Sequence, residues 1–264
     1  SIAVNATKHI LDSNIIDRSD ILSINNSDDV GVDSWQPSFL KFSNEQNLKV
    51  VSLDDLYSID NLIFFSLEYN KIIKPNLFNN STSLFNIHFS FLPAYKGMFT
   101  SAHPILNGEK FSGVTLHEMD KGIDTGNIID QIKFEIDIND TARDLYNNYL
   151  KYSLEIFKRN INDLIANNYK STNQTAIDSS YFSMNSINYH QLSIDFKKTS
   201  FEIHNQIRAY IFKEYQLPLI NGYEIKKSKL TNDKIENNSL IEQSDSFIIS
   251  GIDGFKIIAY KNEN

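Results

Sequence analysis

Residues 85–131 read FNIHFSFLPAYKGMFTSAHPILNGEKFSGVTLHEMDKGIDTGNIIDQ, and the rest of the chain is organised around this stretch. Asn86 and His88 stand two residues apart, so a strand would turn both side chains to one face. Pro93 ends that strand, because proline removes a backbone donor from the ladder. The loop that follows therefore lies at the carboxyl end of a strand, where open α/β sheets bind their ligands.

The same stretch predicts a second strand and a second loop. Residues 113–117 read GVTLH and form a short strand pattern, and the loop from Met119 to Gly126 carries Asp124 between two glycines. Upstream, residues 62–67 read LIFFSL, which is typical of a strand buried on both faces of a parallel sheet. Strands and helices alternate from the start of the chain through residues 139–168, and this alternation predicts a doubly wound, Rossmann-like α/β fold with a mostly parallel sheet.

Shorter patterns predict the remaining elements. In chain order we expect a strand at 2–4, a helix at 7–16, a strand at 20–24, a helix capped by Asp33 or Ser34, strands at 48–53 and 128–138, a helix from 139–141 to 167–168, a strand at 192–196, a helix at 200–209, hairpins at 219–225 and 247–260, and an exposed polar excursion at 226–245. The tail is thus predicted to be a small β-rich domain.

The composition limits the class of protein. The 264 residues carry 41% hydrophobic and 22% charged residues, with a formal net charge of −8 and no run of lysine or arginine. These values favour an ordinary soluble protein and disfavour a nucleic-acid-binding surface, which relies on basic patches. There is no cysteine, and no apolar run approaches the roughly 20 residues that span a bilayer. We therefore expect a cytoplasmic enzyme without membrane or nucleic-acid partners.

The central stretch resembles the catalytic core of the 10-formyltetrahydrofolate-dependent formyltransferases. That family carries N-x-H, then S-x-L-P-x-Y-[RK]-G, then G-V-T-x-H, then [LI]-D-x-G, and all four motifs occur here in that order. The resemblance implies Asn86, His88 and Asp124 as the catalytic residues and 10-formyltetrahydrofolate as the co-substrate, with no metal.

Formyl transfer to an amine needs the groups that these three residues supply. The reaction passes through a tetrahedral oxyanion, for which Asn86 offers an amide N–H. The imidazole of His88 titrates in a range that suits removal of the proton from the attacking amine. Asp124 can orient that imidazole or stabilise its charged form. The alternative interpretation is that Asp124 is a turn residue that caps its own loop. We treat His117, in the GVTLH strand, as structural or as a support for the catalytic residues.

The resemblance also assigns residues to the two ligands. An apolar pair before a proline lines the pterin pocket in the family, and Ile72 and Ile73 occupy those positions, although both could simply belong to the core. The expected folate-binding residues are Tyr69, Ile72, Ile73, Met119, Asp120 and Gly122. The expected substrate-binding residues of the first loop are Tyr95, Lys96, Gly97, Met98, Phe99 and Thr100.

A second informative stretch, residues 207–218, reads IRAYIFKEYQLP. It resembles the part of the sugar-nucleotide N-formyltransferases that meets the nucleotide. Aromatic faces can stack on a base, and arginine or lysine can meet a diphosphate. A packed helix end with solvated charges is the alternative. The expected nucleotide-binding residues are Arg208, Tyr210, Phe212, Tyr215 and Gln216.

Together these observations predict a sugar-nucleotide N-formyltransferase that acts on a dTDP-linked amino-dideoxyhexose for surface polysaccharide such as O-antigen. The nearest relatives by resemblance act on 4-amino-4,6-dideoxyhexoses, so dTDP-4-amino-4,6-dideoxyglucose is the expected substrate, although the sequence alone does not decide between C3 and C4. We expect a catalytic domain over residues 1–190, a C-terminal domain over 191–264 that contributes to sugar-nucleotide binding, and a homodimer. The alternatives are a methionyl-tRNA or glycinamide ribonucleotide formyltransferase, or a silent nucleotide-sugar binding protein on the same fold.

Overall fold

The computed structural model describes residues 1–262. The helices are α1 (Ile2–Ser13), α2 (Phe39–Glu45), α3 (His103–Leu106), α4 (Ala142–Ile165) and α5 (Ser200–Ala209). The strands are β1 (Leu22–Ser23), β2 (Lys49–Val50), β3 (Ile63–Ser66), β4 (Ser83–His88), β5 (Lys96–Gly97), β6 (Phe111–Glu118), β7 (Ile128–Glu135), β8 (Tyr181–Phe182), β9 (Leu219–Ile220), β10 (Tyr223–Lys234), β11 (Leu240–Glu242), β12 (Ser246–Ile249) and β13 (Phe255–Lys261).

The chain divides into two compact units, each built from separate segments. Unit 1 comprises Ser1–Lys96, Gly113–Ile132 and Tyr149–Ser179. Unit 2 comprises Gly97–Ser112, Lys133–Asn148 and the described residues from Ser180 onward. Neither unit is therefore a continuous stretch of sequence.

Unit 1 is built around a sheet with the strand order β3-β4-β6-β7. β3 pairs with β4 in parallel, and β4 pairs with β6 antiparallel. β7 lies at the edge, as its strict alternation predicts. One face carries an apolar cluster of buried side chains: Leu56, Phe64, Ile73, Phe78 and Leu84. The α/β class is confirmed, and the sheet is mixed because β6 runs against its neighbour.

The long helix α4 begins where its capping residues predict. Thr141 and Asp144 form a reciprocal pair, in which the Asp144 carboxylate accepts from the Thr141 backbone N–H at 2.9 Å and Thr141 Oγ1 accepts from the Asp144 N–H at 3.2 Å. The buried stripe recurs at helical spacing and includes Leu145, Tyr149, Ile156, Ile161 and Leu164.

Unit 2 contains an antiparallel sheet with the strand order β11-β12-β13-β10-β9. The hairpin between β9 and β10 turns at Asn221 and Gly222, both with positive φ, as the Asn-Gly pair predicts. Helix α5 starts with a capping box formed by Thr199 and Glu202. Its apolar side packs on the sheet in a cluster of buried residues: Ile203, Ile207, Ile211, Ile220, Ile225, Phe247, Ile249, Ile257 and Ala259.

Two expectations for the first fifty residues are wrong. Residues 2–4 belong to helix α1 instead of a strand, because Ile2, Ala6 and Ile10 stand four residues apart and place a stripe on one helical face. Helix α2 is capped by Ser38, whose hydroxyl accepts from Lys41 N, and not by Asp33 or Ser34. Asp33 instead accepts from the backbone N–H of Ser38 and so holds the turn before the helix.

Two expectations for the tail are also wrong. Residues 192–196 form no strand, and Ile194 and Phe196 pack against the core cluster of unit 2 from irregular backbone. Residues 226–245 are not an excursion, because β10 continues to Lys234 and β11 follows. The polar composition misled the prediction, since β10 buries only occasional side chains such as Ile225 and Ser228.

Candidate active site

Asn86, His88 and Asp124, the three residues with predicted catalytic roles, come together within unit 1. Asn86 and His88 lie on the same face of β4, and Asn86 is opposite His117 in the register with β6. Asp124 reaches them from the loop between β6 and β7. Its Oδ2 lies 3.4 Å from His88 Nδ1, and its Oδ1 lies 3.3 Å from Asn86 Nδ2.

His88 is held in one orientation by a backbone carbonyl. Its Nε2 lies 2.8 Å from the carbonyl oxygen of Tyr95, and a carbonyl can only accept, so Nε2 carries the hydrogen. The other nitrogen, Nδ1, is the one that faces Asp124. Burial lowers the pKa of His88, while Asp124 and the Tyr95 carbonyl oppose that effect. The imidazole is therefore a neutral base near pH 7.

His117 orients the amide of Asn86. Its Nδ1 donates to the carbonyl oxygen of Glu118 at 2.6 Å, which leaves Nε2 as an acceptor for Asn86 Nδ2 at 3.2 Å. The His117 side chain is buried and also lies 3.7 Å from Asp124. His117 therefore has the supporting position that was expected, because its hydrogen bond orients the amide nitrogen of Asn86 toward the Asp124 carboxylate.

The loop that carries Asp124 is held by its own polar groups. Asp124 has a φ of 54°, in the left-handed region that costs most residues energy. The Asp120 carboxylate accepts from Gly122 N at 2.9 Å and from Thr125 Oγ1 at 2.5 Å. Asp120 and Gly122 therefore shape this loop, whether or not they also meet folate.

The loop after β4 is tied to β6. Ser90 Oγ donates to the carbonyl oxygen of Ala94 at 2.8 Å, and Thr115 Oγ1 donates to the Ser90 carbonyl at 2.8 Å. The Leu92 N–H donates back to Thr115 Oγ1 at 3.1 Å. These bonds fix the loop that delivers the Tyr95 carbonyl to His88.

Lys96 follows directly and is an unusual cation. Its side chain is buried, and its Nζ donates to Ser179 Oγ at 2.9 Å. Among residues 1–262 no carboxylate lies within 4 Å of this ammonium group. Burying an ammonium group without a counter-charge is costly, so the site has an affinity for an anion.

The residues expected to bind folate have different surroundings. Ile73 belongs to the buried apolar cluster of unit 1, and Tyr69 and Met119 pack against it. Ile72 is 74% exposed. The sequence allowed either a pterin contact or a core position for these two residues. Ile73 lies in the core, whereas Ile72 lies outside it.

A cavity of about 340 Å³ lies at the start of β4 in unit 1. It is lined by Pro75, Phe78, Asn79, Asn80, Thr82, Ser83, Leu84, Phe85, Glu118, Met119 and Tyr169. Polar and apolar side chains both line it, and its volume lies at the low end of the roughly 300–1,000 Å³ of small-molecule sites. Of the six expected folate residues only Met119 lines it, because periodicity does not reveal which core side chains border a void.

The residues expected to bind the nucleotide, from Gly97 onward, lie in unit 2. Met98 and Tyr215 are 47% and 68% exposed, and Gly97, Thr100, Tyr210 and Gln216 are partly buried. Phe99 has an edge contact with Tyr189 at 5.1 Å between ring centroids. Two further rings lie together: Phe212 is buried, and its centroid lies 5.0 Å from that of Tyr215. These aromatic groups are compatible with base stacking.

Arg208 has a different place from the one predicted. It is only 2% exposed, and its guanidinium donates to Asn205 Oδ1 at 2.9 Å and to the carbonyl oxygens of Asp137 and Asp140 at 3.2 and 2.8 Å. Burial lowers its pKa to about 10, against the influence of Asp140. These contacts favour the packed-helix-end interpretation, and we remove Arg208 from the diphosphate site.

Two structural absences concern the described part of the chain. No cluster of three or more histidine or acidic side chains in residues 1–262 has the arrangement of a metal site. No described helix combines the length and apolar character that crossing a membrane requires.

Comparison with known proteins gives a consistent set of similarities. Residues 34–161 match the family model described as formyl transferase. The chain is 59% identical to WlaRD, a sugar 3N-formyl transferase whose crystal structure was determined in the presence of dTDP and 5-N-formyl-THF. The two align with a TM-score of 0.96 over 100% of this chain and 95% of WlaRD. It is 55% identical to the N-formyltransferase from Helicobacter canadensis in complex with folinic acid and dTDP-3-aminofucose, with a TM-score of 0.96 over 99% and 96% of the chains.

Curated relatives are more distant. The methionyl-tRNA formyltransferase of Fervidobacterium nodosum is 28% identical over 241 residues, which cover 87% of this chain and 73% of that enzyme. Further curated matches are 25–35% identical and span between 25% and 61% of the relatives' own length.

Proposed function

Because the chain belongs to the formyl transferase family, we propose that it moves a formyl group from 10-formyltetrahydrofolate to the amino group of a dTDP-linked amino-dideoxyhexose. The observation that carries the proposal is the compact arrangement of Asn86, His88 and Asp124 around one point of unit 1. The family membership, the N-formyltransferase class and the folate co-substrate predicted from sequence are confirmed by the comparisons.

We assign the amino group to C3 of the sugar. The sequence left C3 and C4 open, and 4-amino sugars were nearest by resemblance. The two similar structures at 59% and 55% identity are described with a sugar 3-N activity and with dTDP-3-aminofucose, respectively. Their similarity over nearly the whole chain supports a 3-amino-3,6-dideoxyhexose as the substrate class.

His88 acts as the base through Nδ1. Its Nε2 hydrogen is committed to the Tyr95 carbonyl, so the lone pair of Nδ1 faces Asp124 Oδ2 at 3.4 Å. Two acceptors so close repel each other unless a proton or an N–H group lies between them. The attacking amine supplies that proton as its nitrogen bonds to the formyl carbon, and the carboxylate stabilises the imidazolium. The bond from the formyl carbon to the tetrahydrofolate nitrogen then breaks, and the imidazolium returns the proton to that departing nitrogen.

Asn86 stabilises the oxygen of the formyl group as it gains negative charge. One N–H of its amide is held by His117 Nε2 at 3.2 Å, and the other, which points to Asp124 Oδ1 at 3.3 Å, is the one that turns to the formyl oxygen as the charge develops. Removing one such donor lowers kcat by roughly 10²–10³-fold in other enzymes that stabilise oxyanions.

The folate fits unit 1 on two grounds. The 340 Å³ cavity shares Met119 with the loop that carries Asp124, so a ring bound there lies beside the catalytic loop. Asn79 and Glu118 can pair with the polar edge of a pteridine, and Phe78 and Leu84 can cover its face. We therefore add the cavity residues to the expected set of Tyr69, Ile72, Ile73, Met119, Asp120 and Gly122.

Lys96 is the strongest candidate for the diphosphate of the sugar nucleotide. Within residues 1–262 its buried ammonium has only the neutral Ser179 hydroxyl as a partner, and a diphosphate supplies the missing counter-charge. Tyr95 and the 97–100 segment, together with Tyr210, Phe212, Tyr215 and Gln216, remain the proposed sugar and base contacts.

The wider setting is also a proposal. We assign catalysis to residues 1–190, and a contribution to sugar-nucleotide binding together with the dimer contacts to residues 191–264, in a cytoplasmic homodimer that serves surface-polysaccharide synthesis. The net charge of −8 supports a small-molecule substrate over tRNA, for which a basic surface is needed.

The decisive experiment offers 10-formyltetrahydrofolate and several acceptors to the purified protein, with mass spectrometry as the readout. The acceptors are dTDP-3-amino and dTDP-4-amino-dideoxyhexoses, UDP-amino sugars and initiator methionyl-tRNA. A mass gain of one formyl group on the 3-amino sugar is expected. Gain on the 4-amino sugar alone would contradict the C3 assignment, and gain only on the tRNA would place the protein in translation.

The same assay tests the catalytic residues. Asn86→Ala and His88→Ala are each expected to lower kcat by roughly 10²-fold or more, because each removes a group that acts only as the reaction proceeds. Circular dichroism checks that both variants remain folded. A near-normal kcat in either variant would remove that residue from the mechanism.

A further inference from the structure

The segment of residues 171–174, here called the strap, runs beside the loop that carries Asp124. Ser171 Oγ donates to Glu118 Oε1 at 3.0 Å, just before that loop. Thr172 and Ile128 exchange both backbone hydrogen bonds at 2.8 Å, just after it. The strap is thus fixed at both ends of the loop, by contacts within unit 1.

Gln174 in the strap contacts the loop itself. Its Nε2 donates to the carbonyl oxygens of Asp124 and Gly126, both at 2.8 Å. A side-chain amide has two N–H donors, and this arrangement uses both on the residues that set the position of the Asp124 carboxylate. Nothing in the polar sequence of residues 171–174 marks this contact in advance.

The orientation of the Gln174 amide satisfies its two N–H donors but not its carbonyl oxygen. Its Oε1 is buried and has no hydrogen-bond partner among the residues that the structure describes, which is an unfavourable state for a carbonyl oxygen. A glutamine that only filled space would be free to turn its oxygen toward a donor. The geometry therefore points to a role in which the two donated hydrogen bonds are worth more than the free-energy cost of leaving the Oε1 acceptor unpaired.

The loop needs an outside support. Lys121, Gly122, Ile123 and Thr125 are exposed, so no buried apolar side chain among them anchors it. Asp124 adopts a left-handed backbone with φ of 54°, a conformation that persists only where the surroundings impose it. The two bonds from Gln174 fall on this residue and on its second neighbour.

We propose that Gln174 is a positioning residue for formyl transfer: it holds the strained Asp124 loop so that the carboxylate stays beside His88 Nδ1. The inference rests on the proposed function. Catalytic groups displaced by about 1 Å lose roughly 10²-fold in rate, so a loosened loop affects the chemical step. We expect the binding of the sugar nucleotide to be unchanged, because both hydrogen bonds that Gln174 donates go to loop backbone.

The test compares Gln174→Met with Asn173→Met. Methionine matches the length of glutamine but has no donor, and Asn173 is the exposed neighbour in the same strap. Gln174→Met is expected to lower kcat by roughly 10–100-fold with the KM for the sugar nucleotide within twofold. Asn173→Met is expected to match the parent protein. Gln174→Glu, which replaces the donors with a carboxylate facing two carbonyls, should lose at least as much activity.

A second readout separates positioning from general destabilisation. Asp124 raises the pKa of His88, so a displaced carboxylate lets that pKa fall further and moves the acid limb of the kcat–pH profile to lower pH. The unfolding midpoint of each variant is measured alongside. Unchanged kcat and an unchanged acid limb in Gln174→Met would overturn the proposal.

The failure of the proposed function would be seen separately. If the parent protein formylates no acceptor, the proposed function fails, and the positioning role is then tested by NMR titration of His88. The titration midpoint should move to lower pH in Gln174→Met and not in Asn173→Met. Equal midpoints in the two variants would overturn the positioning role whatever the reaction is.

Discussion

His88 and His117 are held in opposite tautomers by the same device. Each donates one ring N–H to a backbone carbonyl, through Nε2 in His88 and through Nδ1 in His117. The nitrogen left as an acceptor faces Asp124 in the first case and the Asn86 amide in the second. One imidazole is thereby left to take a proton, and the other to orient an amide.

Lys96 influences His88 through charge, and this gives a testable pH dependence. The Lys96 ammonium helps to lower the pKa of His88, so Lys96→Met should raise that pKa. Since we propose that neutral His88 is the base, the acid limb of the kcat/KM profile should move to higher pH. The KM for the sugar nucleotide should also rise, because the diphosphate loses its cation.

Lys96→Arg is the matched control, since it keeps the charge and should keep the acid limb. The measurement is the pH dependence of kcat/KM, which reports groups of the free enzyme. A profile of Lys96→Met that coincides with that of the parent would show that this ammonium does not act on His88.

Arg208 is expected to affect stability and not substrate binding. Arg208→Met leaves the carbonyl oxygens of Asp137 and Asp140 without their donor, which should cost about 2–4 kcal/mol in the free energy of unfolding. The KM of the folded protein should change less than twofold. Urea denaturation and substrate kinetics measure the two quantities.

Lys213→Met serves as the comparison for Arg208, because Lys213 is a nearby cation that is 74% exposed at its side chain. It should leave the stability within about 0.5 kcal/mol of the parent. A raised KM in Arg208→Met with normal stability would return Arg208 to the nucleotide site.

At the scale of the element, the loop between β6 and β7 depends on one close approach. A Cβ at Gly126 would lie 1.8 Å from the backbone oxygen of Glu118, so Gly126→Ala must displace the loop. The displacement moves Asp124, and kcat should fall by roughly 10²-fold. Steady-state kinetics on the folded variant measures the loss.

Gly222→Ala provides the contrast for Gly126. Gly222 has a φ of 85° in the turn between β9 and β10, and a Cβ there would meet nothing within 4 Å. The cost should be about 1 kcal/mol of backbone strain, with activity retained. If both variants kept full activity, the close approach at Gly126 would not govern the position of the catalytic loop.

Long or strongly marked elements could be predicted from the sequence. The Thr141 cap of α4, the apolar run of β3 and the Asn221–Gly222 hairpin all carry a local signal whose physics acts within a few residues. The short run at residues 2–4 carries no such signal, because a few apolar residues fit a strand or a helix equally well.

The candidate site likewise has features that the sequence predicts and features that it does not. Motif positions identify which side chains meet, as for Asn86, His88 and Asp124. Motif positions do not show which side chains are buried. Arg208 was therefore predicted to bind an anion, although its guanidinium donates hydrogen bonds inside the protein. They also miss a contact between distant segments, such as Gln174 with the Asp124 loop, since nothing in residues 171–174 marks it.

At the scale of the whole molecule, two buried histidines outside the catalytic site, His103 and His204, contribute to the response to acid. Burial lowers the pKa of His103 and of His204 to about 4, against roughly 6.5 in an unfolded chain. The unfolded state therefore binds protons first as the pH falls. Stability is fully present above pH 6.5 and should be lost progressively toward pH 4, by about 3 kcal/mol for each histidine.

His204→Gln tests this assignment. The histidine donates from Nε2 to the Ile138 carbonyl at 2.8 Å and pairs with Ser228 Oγ at 2.9 Å, and glutamine can make bonds of both kinds without titrating. The melting temperature of this variant should fall less between pH 7 and pH 4.5 than that of the parent. His190→Gln, at an exposed position, should follow the parent curve. Parallel curves for His204→Gln and the parent would rule out His204 as a source of acid sensitivity.

The interleaving of the two units has a consequence for protein engineering. The chain alternates between them through six segments and thus changes unit five times. A chimaera that exchanges everything after residue 180 between two relatives would transplant only part of unit 2, because Gly97–Ser112 and Lys133–Asn148 would come from the other parent. Moving unit 2 intact between two relatives therefore calls for the exchange of three segments through five junctions.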